Sequence, residues 1–299
     1  MRIVLGLSAT LLVLLASAAA SAADEGTFDR VVPAQPRGVV ELSNVSGKIE
    51  VSGWDRSEVS VHAELGSGLE RVEVSSEGGR TSIKVLLPQS SSHGGEVELH
   101  VKVPKDSELD VSAVGSDVIT THVLGVQRLS TVSGAVSAEL AGADVELKTV
   151  SGDLSLKGRG QPARLHVSTV SGDVHLEHGA GDLEASTVNG TLIVSLDSAR
   201  SVRAHTTSGD FRFVGKLTRA AEFEVTSVSG DLNVRASADG GYRYEISSFS
   251  GEISDCFNAS PERASKYGPG TRLEGKRGEG AGHVRLKTMS GDVQLCDRP

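Results

Sequence analysis

A row of acidic residues is the feature of this sequence best suited to chemistry. In five copies of one short pattern an aspartate directly follows a glycine, and Thr191 and Glu252 take its place in two others. The five are Asp153, Asp173, Asp210, Asp231 and Asp292. Carboxylates stacked about 5 Å apart repel one another, and such a row could bind Ca²⁺ weakly. The favoured interpretation is turn structure, because an aspartate beside a turn glycine bonds the local backbone and the calcium-binding nonapeptide pattern is missing.

The sequence contains no other pattern typical of an active site or a cofactor site. Its nine histidines show no HExxH spacing, and its serines form no G-x-S-x-G turn. The sequence therefore predicts no catalytic residues and no cofactor. With 39 acidic against 30 basic residues the chain has a net charge of −9, which argues against a nucleic-acid partner.

The acidic row belongs to an internal repeat. Segments such as LKTVSGDLSL, VSTVSGDVHL and LKTMSGDVQL align without gaps. Their central glycines, here called the turn glycines, are Gly134, Gly152, Gly172, Gly190, Gly209, Gly230, Gly251 and Gly291; successive steps are 18 to 21 residues, except the last, of 40. Residues of one face alternate on both sides, as in Val145, Leu147 and Thr149 before one turn and Leu154 and Leu156 after it. This alternation predicts β-strands with one buried face.

Two architectures explain such a repeat. A meander of antiparallel hairpins explains the turns, but it does not require the same residue types at the same offset in every copy. A solenoid does, because its coils stack at about 4.8 Å and equivalent residues form ladders. The predicted fold is therefore all-β: a β-solenoid of about 20-residue Ser-Gly-Asp repeats over residues 113–299, preceded by an N-terminal β-rich cap of longer strands over residues 23–112.

The N-terminus is typical of an exported protein. Arg2 precedes an apolar run over residues 3–16, and small residues then end in Ala20-Ser21-Ala22. This order predicts a cleaved signal peptide over residues 1–22. No later apolar run is long enough to span a membrane. We expect a protein without a membrane span, located in the periplasm or outside the cell.

The two cysteines occupy equivalent places in the repeat. Cys256 lies five residues after Gly251, and Cys296 lies five residues after Gly291. The long step between these glycines holds either two coils or one coil with an insertion. We favour an insertion, because residues 258–282 are rich in Gly, Lys, Arg and Glu and lack the repeat. The cysteines would then lie on neighbouring coils and form a disulfide; two independent thiols are the alternative.

Three segments, in order, resemble the bacterial putative-adhesin family of β-strand-repeat proteins. They are NVSGKIEVSGWD at residues 44–55, VKVPKDSELDV at residues 101–111, and the later TVSGDL copies. The resemblance covers nearly all of the chain after the signal peptide and implies a repeat fold in the bacterial cell envelope. It implies no catalytic residues.

Three hypotheses about function follow. The first is a non-enzymatic envelope scaffold, adhesin-like, that contacts an envelope protein or a surface polymer. The second is a carbohydrate-active enzyme on a β-solenoid, since the fold alone does not exclude one. Such an enzyme would need clustered acids and aromatic sugar platforms, and the four residues Trp54, Tyr242, Tyr244 and Tyr267 are few and dispersed. The third is an accessory in envelope stress or signalling, which the sequence does not separate from the first.

Overall fold

The protein is built of β-strands. A computed structural model describes residues 26–66, 71–86, 96–264 and 269–297. Within these ranges the chain forms no α-helix, and so none that could cross a bilayer. The predicted signal peptide lies outside the described residues. The described strands are β1 (Thr27–Pro33), β2 (Val39–Trp54), β3 (Glu58–Leu65), β4 (Arg71–Glu77), β5 (Arg80–Leu86), β6 (Val97–Pro104), β7 (Glu108–Thr121), β8 (Gln127–Ser133), β9 (Val136–Glu139), β10 (Val145–Ser151), β11 (Leu154–Lys157), β12 (Pro162–Ser171), β13 (Val174–Asn189), β14 (Leu192–Ser208), β15 (Phe211–Ser229), β16 (Leu232–Ala238), β17 (Gly241–Ser250), β18 (Ile253–Asp255), β19 (Glu262–Arg263), β20 (Thr271–Gly278), β21 (Gly282–Ser290) and β22 (Val293–Cys296).

Each repeat places one strand before its turn glycine and one after it. In the copy around Gly152, Leu147 and Thr149 of β10 and Leu154 and Leu156 of β11 all point inward, while the residues between them face outward. Buried Val and Leu from successive copies pack into a continuous apolar core. The period-two burial predicted from the sequence is therefore present, and it leaves alternate residues free to form the outer surface.

Successive copies pair in parallel and in register. We call the strands before the turn glycines the front face and the strands after them the rear face. On the front face β8, β10, β12, β13, β14 and β15 pair in that order. On the rear face β9, β11, β13, β14, β15 and β16 do the same. Each copy thus adds one strand to both faces, and residues of equal position align in columns.

The N-terminal region joins this array without a break in pairing. β2 already contains one turn, at Gly47, and pairs with β7 from residue 39 to residue 52. The predicted boundary at residue 112 therefore falls inside β7, whose two halves continue to β8 and β9. Antiparallel pairs are added at this end: β5 with β4, and β6 with β3 followed by β1.

The C-terminal end departs from sequence order. The Gly230 N–H donates to the Ser290 carbonyl, and the Gly291 N–H donates to the Ser250 carbonyl. The last copy, formed by β21 and β22, therefore lies between the copies of Gly230 and Gly251. Part of the segment predicted as a loop, residues 258–282, forms β20, which pairs antiparallel with β17. β20 covers the terminal edge, and its alternating charged residues suit a strand exposed at a sheet edge.

The turn glycines are required by the close approach of the coils. Gly172 has φ +151°, and a Cβ added there would lie 2.1 Å from the Gly152 carbonyl oxygen. At Gly152 the corresponding distance to the Gly134 oxygen is 2.0 Å, with φ +155°. Both the backbone angle and the space exclude a side chain, because a real Cβ contact is never so short.

Gly172→Ala should destabilise the protein. Positive φ alone costs a non-glycine residue about 1–3 kcal/mol, and the contact with Gly152 adds to this cost. Urea unfolding followed by circular dichroism measures the change. The control is Gly115→Ala, since a Cβ at Gly115 comes no closer than 3.5 Å to the Val45 oxygen. Equal stability of the two variants would contradict the explanation.

The order of the last two coils can be tested with new disulfides. Residue 235 pairs with Cys296 across β16 and β22, so Arg235→Cys combined with Cys256→Ser should form a bond between positions 235 and 296. Arg235→Cys combined with Cys296→Ser should leave two free thiols, because positions 235 and 256 are two strand spacings, about 9.6 Å, apart. Intact mass and peptide mapping read the outcome. Stacking in sequence order would reverse the two results.

Candidate functional site

The acidic row predicted from the sequence forms one column along the stack. Each of the five candidate carboxylates accepts a hydrogen bond from the backbone N–H of the equivalent residue in the next coil. The pairs, acceptor first, are Asp153 with Asp173 (2.9 Å), Asp173 with Thr191 (2.7 Å), Asp210 with Asp231 (3.1 Å), Asp231 with Asp292 (2.8 Å) and Asp292 with Glu252 (2.8 Å). One carboxylate oxygen of each aspartate is thus directed to the backbone of the next turn.

This geometry supports a structural role for the column. β7 also contains a turn, in which Ser116 pairs with Gly47 of β2 and takes the place of the turn glycine. Asp117, the next residue, makes the same contact to the Ala135 N–H at 2.8 Å, although the sequence pattern there is too weak to predict it. In the described part of the chain no group of three or more His, Cys, Asp or Glu side chains has the arrangement of a metal site. Weak Ca²⁺ binding by the column stays a prediction.

Asp173→Ala should lower the free energy of unfolding by about 1 kcal/mol, because the Thr191 N–H loses its acceptor. Urea unfolding with and without CaCl₂ measures this loss. The control, Asp239→Ala, removes a carboxylate that is 78% exposed and whose one ion pair among the described residues is with Lys216. It should change stability by less than about 0.5 kcal/mol. If the column instead binds calcium, CaCl₂ will stabilise the native protein and this stabilisation will weaken in Asp173→Ala.

A second column consists of buried hydroxyl groups three residues before each turn. Its members are Thr131, Thr149, Thr169, Thr187, Thr206, Ser227, Ser248 and Thr288. Ser248 donates to the Gly291 carbonyl at 3.1 Å, but the hydroxyls of Thr149, Thr169, Thr187, Ser227 and Thr288 find no partner among the described residues. Because the side chain of Thr has nearly the same shape as that of Val, the column fills the space inside the turn. Since side chains alternate along a strand, the residue after each of these hydroxyl residues points outward.

That outward residue is apolar in nearly every coil. Nine side chains in this column are 38% to 57% exposed, and Thr207 is the one polar member. In stack order the column, called the valine ridge, is Val45, Val114, Val132, Val150, Val170, Val188, Thr207, Val228, Met289 and Phe249. Ten coils at about 4.8 Å give a stripe about 43 Å long. Isolated exposed apolar residues need no explanation, but a stripe of this length, interrupted only at Thr207, is a candidate contact surface.

Two polar columns run beside the valine ridge on the front face. The first, called the serine column, lies four residues before each turn and consists mostly of small side chains with a hydroxyl group. Its members are Ser43, Ser112, Ser130, Lys148, Ser168, Ser186, His205, Thr226, Lys287 and Ser247. The second, called the charged column, lies six residues before each turn. Its members are Glu41, Asp110, Arg128, Glu146, His166, Glu184, Arg203, Glu224, Arg285 and Glu245. The alternation of the strands predicts that all three columns face outward. The features predicted from the sequence were the inward residues and the aspartates, and these three outward columns were not among them.

The disulfide fastens the end of the stack. Cys256 and Cys296 are bonded, with their Cα atoms 5.0 Å apart. The Cys256 N–H also donates to the Leu295 carbonyl at 3.1 Å. The bond therefore joins the terminal coil to the copy inserted beside it, and it lies far from the middle of the valine ridge.

Stacked strands with repeated outward columns define an all-β repeat protein whose regular surface is its main chemical feature. The profile of the Toastrack DUF4097 family matches residues 40–296, and the chain belongs to that family. This match confirms the resemblance to the putative-adhesin proteins.

Two crystal structures have the same fold. A putative adhesin from Parabacteroides merdae aligns with a TM-score of 0.53 at 12% identity, over 91% of this chain and 97% of that one. A putative adhesin from Parabacteroides distasonis aligns with a TM-score of 0.51 at 10% identity, over 90% of this chain and 96% of that one. At such low identity the likeness concerns the fold alone. No functionally curated protein matches the chain.

Proposed function

We propose that this protein is an exported, non-enzymatic scaffold of the cell envelope, a β-solenoid that contacts protein partners along the valine ridge. The observation that carries the proposal is the exposure of an apolar side chain at the same position in nine of ten stacked coils. Nothing inside the fold requires these side chains, because the core is filled by the inward residues of the same strands.

The chemistry of the ridge favours a protein partner over a sugar polymer. Its side chains are mainly branched aliphatic groups, which gain from contact with other apolar side chains. Sugar rings are usually held by aromatic platforms and clustered polar groups, and the ridge offers one aromatic residue, Phe249 at its end. The serine column beside the ridge can supply hydrogen bonds at the rim of such a contact.

Export is supported by the leader-like residues 1–22 and by the disulfide, which persists in oxidising compartments. The structural neighbours described as putative adhesins agree with a role in the envelope or at the cell surface.

Photo-crosslinking in the native cell tests the proposal. A photoreactive amino acid at Val170, in the middle of the ridge, should give protein adducts, whereas the same group at the exposed His175 of the rear face should give few. Adding Val150→Asp and Val188→Asp should reduce the Val170 adducts about tenfold or more, because a buried carboxylate weakens an apolar contact.

The same variants supply the control for folding. Val150 and Val188 point outward, so their replacement should change the free energy of unfolding by no more than about 0.5 kcal/mol each. The proposed role of the ridge is wrong if adducts form equally from both faces, or if the two aspartates leave the Val170 adducts unchanged.

A further inference from the structure

The charged column beside the ridge has an order that suggests which protein the ridge contacts. Along the stack Glu41 and Asp110 are negative, Arg128 is positive, Glu146 is negative, the next residue is His166, and Glu184 is negative. The remaining four, Arg203, Glu224, Arg285 and Glu245, alternate in sign. Read from its two ends toward the middle, this column is largely complementary to itself.

The charged columns of two copies become complementary when the front faces of the copies meet with their stacks antiparallel. A two-fold axis parallel to the strands, lying between the two front faces, sets each column opposite the same column of the partner and reverses its order. The first coil then meets the tenth, the second meets the ninth, and so on. Valine ridge meets valine ridge, and serine column meets serine column.

In this arrangement most facing charges are opposite. Three of the five pairings join a carboxylate to an arginine, and the fourth joins histidine to glutamate. These four are Asp110 with Arg285, Arg128 with Glu224, Glu146 with Arg203, and His166 with Glu184.

The remaining pairing is between Glu41 and Glu245. Both glutamates are already compensated within their own chain, Glu41 by Arg80 and Glu245 by Arg272 at 3.1 Å. The like charges at the two ends are therefore compensated within each copy. The same holds for several residues of the opposite-charge pairings: Arg128 pairs with Glu108, His166 with Glu184, and Arg285 with Glu224 and Glu245 in its own chain.

The other symmetric way to join the front faces is much less favourable. An axis parallel to the stack keeps the coil order but reverses the direction across the face. With all three columns of both copies in contact, it sets the charged column of each copy against the valine ridge of the other, which would desolvate charges against aliphatic groups. Centred on the valine ridge instead, it sets ridge against ridge but leaves the two charged columns on opposite sides of the contact, where they do not face each other. The column order thus distinguishes the two arrangements.

The middle of the charged column provides the most direct contact. Arg203 is exposed, and within the described ranges its guanidinium lies in no ion pair; its one side-chain contact is to the Ser201 hydroxyl at 3.3 Å. Its neighbours in the column, Glu184 and Glu224, are also exposed. Arg203 is therefore available to a second copy, whose facing Glu146 would be shared between Arg203 and the Lys148 ammonium of its own chain.

The size of the face suits a stable dimer. Three columns span about 14 Å across the strands and about 43 Å along the stack, so roughly 600 Å² of each copy would be covered. The total of about 1,200 Å² is at the lower end of the range for a specific, stable protein interface.

Resting on the proposed role of the valine ridge, we infer that its partner is a second copy of this chain, bound front face to front face in an antiparallel two-fold dimer.

Paired charge reversals test this inference on the whole mature protein by sedimentation equilibrium. Wild-type protein should be dimeric. Arg203→Glu alone and Glu146→Arg alone should each weaken self-association about 100-fold, because each homodimer then holds two pairs of like charges. An equimolar mixture of the two variants should dimerise as the wild type does, because both cross-pairs again join opposite charges.

Arg212→Glu is the matched control. It reverses an exposed arginine on the rear face and should leave the dimer unchanged. A variant that fails to fold is recognised because its circular dichroism spectrum changes and because its mixture with the other variant also fails to dimerise. A correctly folded mixture that stays monomeric overturns the inference, as does a wild-type protein that is monomeric at about 100 µM, far above the Kd expected of such an interface.

The crosslinks from Val170 separate this inference from the proposed function. Adducts of twice the chain mass, containing only this protein, support the dimer. Adducts with a different protein, together with monomeric wild type, overturn the dimer and leave the scaffold function standing. Absence of ridge adducts contradicts both.

Discussion

The distance between consecutive turn glycines governs the whole structure. At each turn the backbone of one coil lies on the glycine of the next so closely that a Cβ would come within about 2 Å of a carbonyl oxygen. Only glycine tolerates this approach at positive φ. Once the glycines are aligned, the register of both faces is fixed, because a slip of one residue would turn every buried Val and Leu outward. The aspartate column then falls beside the N–H groups of the neighbouring turns.

Register also explains why the outer surface is so regular. With the glycines aligned, a buried hydroxyl three positions earlier and an exposed Val two positions earlier recur in almost every coil. The core needs only the inward residues, so the outward columns can differ in character without loss of packing. The valine ridge stays apolar along its length, whereas the charged column changes sign several times. Such a difference between two columns on the same strands shows that exposure alone does not determine their composition.

Much of the scaffold could be predicted from the sequence, since periodicity and glycine spacing are local signals. The buried faces around Gly152 and the pairing of Cys256 with Cys296 both follow from position in the repeat. The order of the last coils could not be predicted. β17 and β21 have the same pattern of inward and outward residues, so either could pair with β15 by local rules. The observed order is favoured by contacts at the whole C-terminal end of the stack. β20 pairs with β17 and covers the exposed edge. β21 and β22 then have partner strands on both sides. The exposed apolar column was missed for a simpler reason: the sequence was read for its inward residues, and Val150 points outward only as a consequence of Thr149 pointing inward.

Alternating charge within a column has an explanation that involves a single chain. Stacked residues about 5 Å apart avoid like neighbours, so arginines interspersed with acids are expected in any such column. Arg285 fits this account, because it lies 3.8 Å from Glu224 and 3.4 Å from Glu245 in its own chain. Arg203 lies between Glu184 and Glu224 and fits this account by sign, but its guanidinium forms no ion pair within the described ranges. Alternation over ten coils also makes the column complementary to its own reverse, because the first coil and the tenth, the second and the ninth, and so on, always fall on opposite steps of the alternation. The complementarity between two antiparallel copies is therefore a consequence of the repulsion between neighbours in one chain, and a second copy can use it without any further change in the sequence. What the single chain leaves unused is the guanidinium of Arg203.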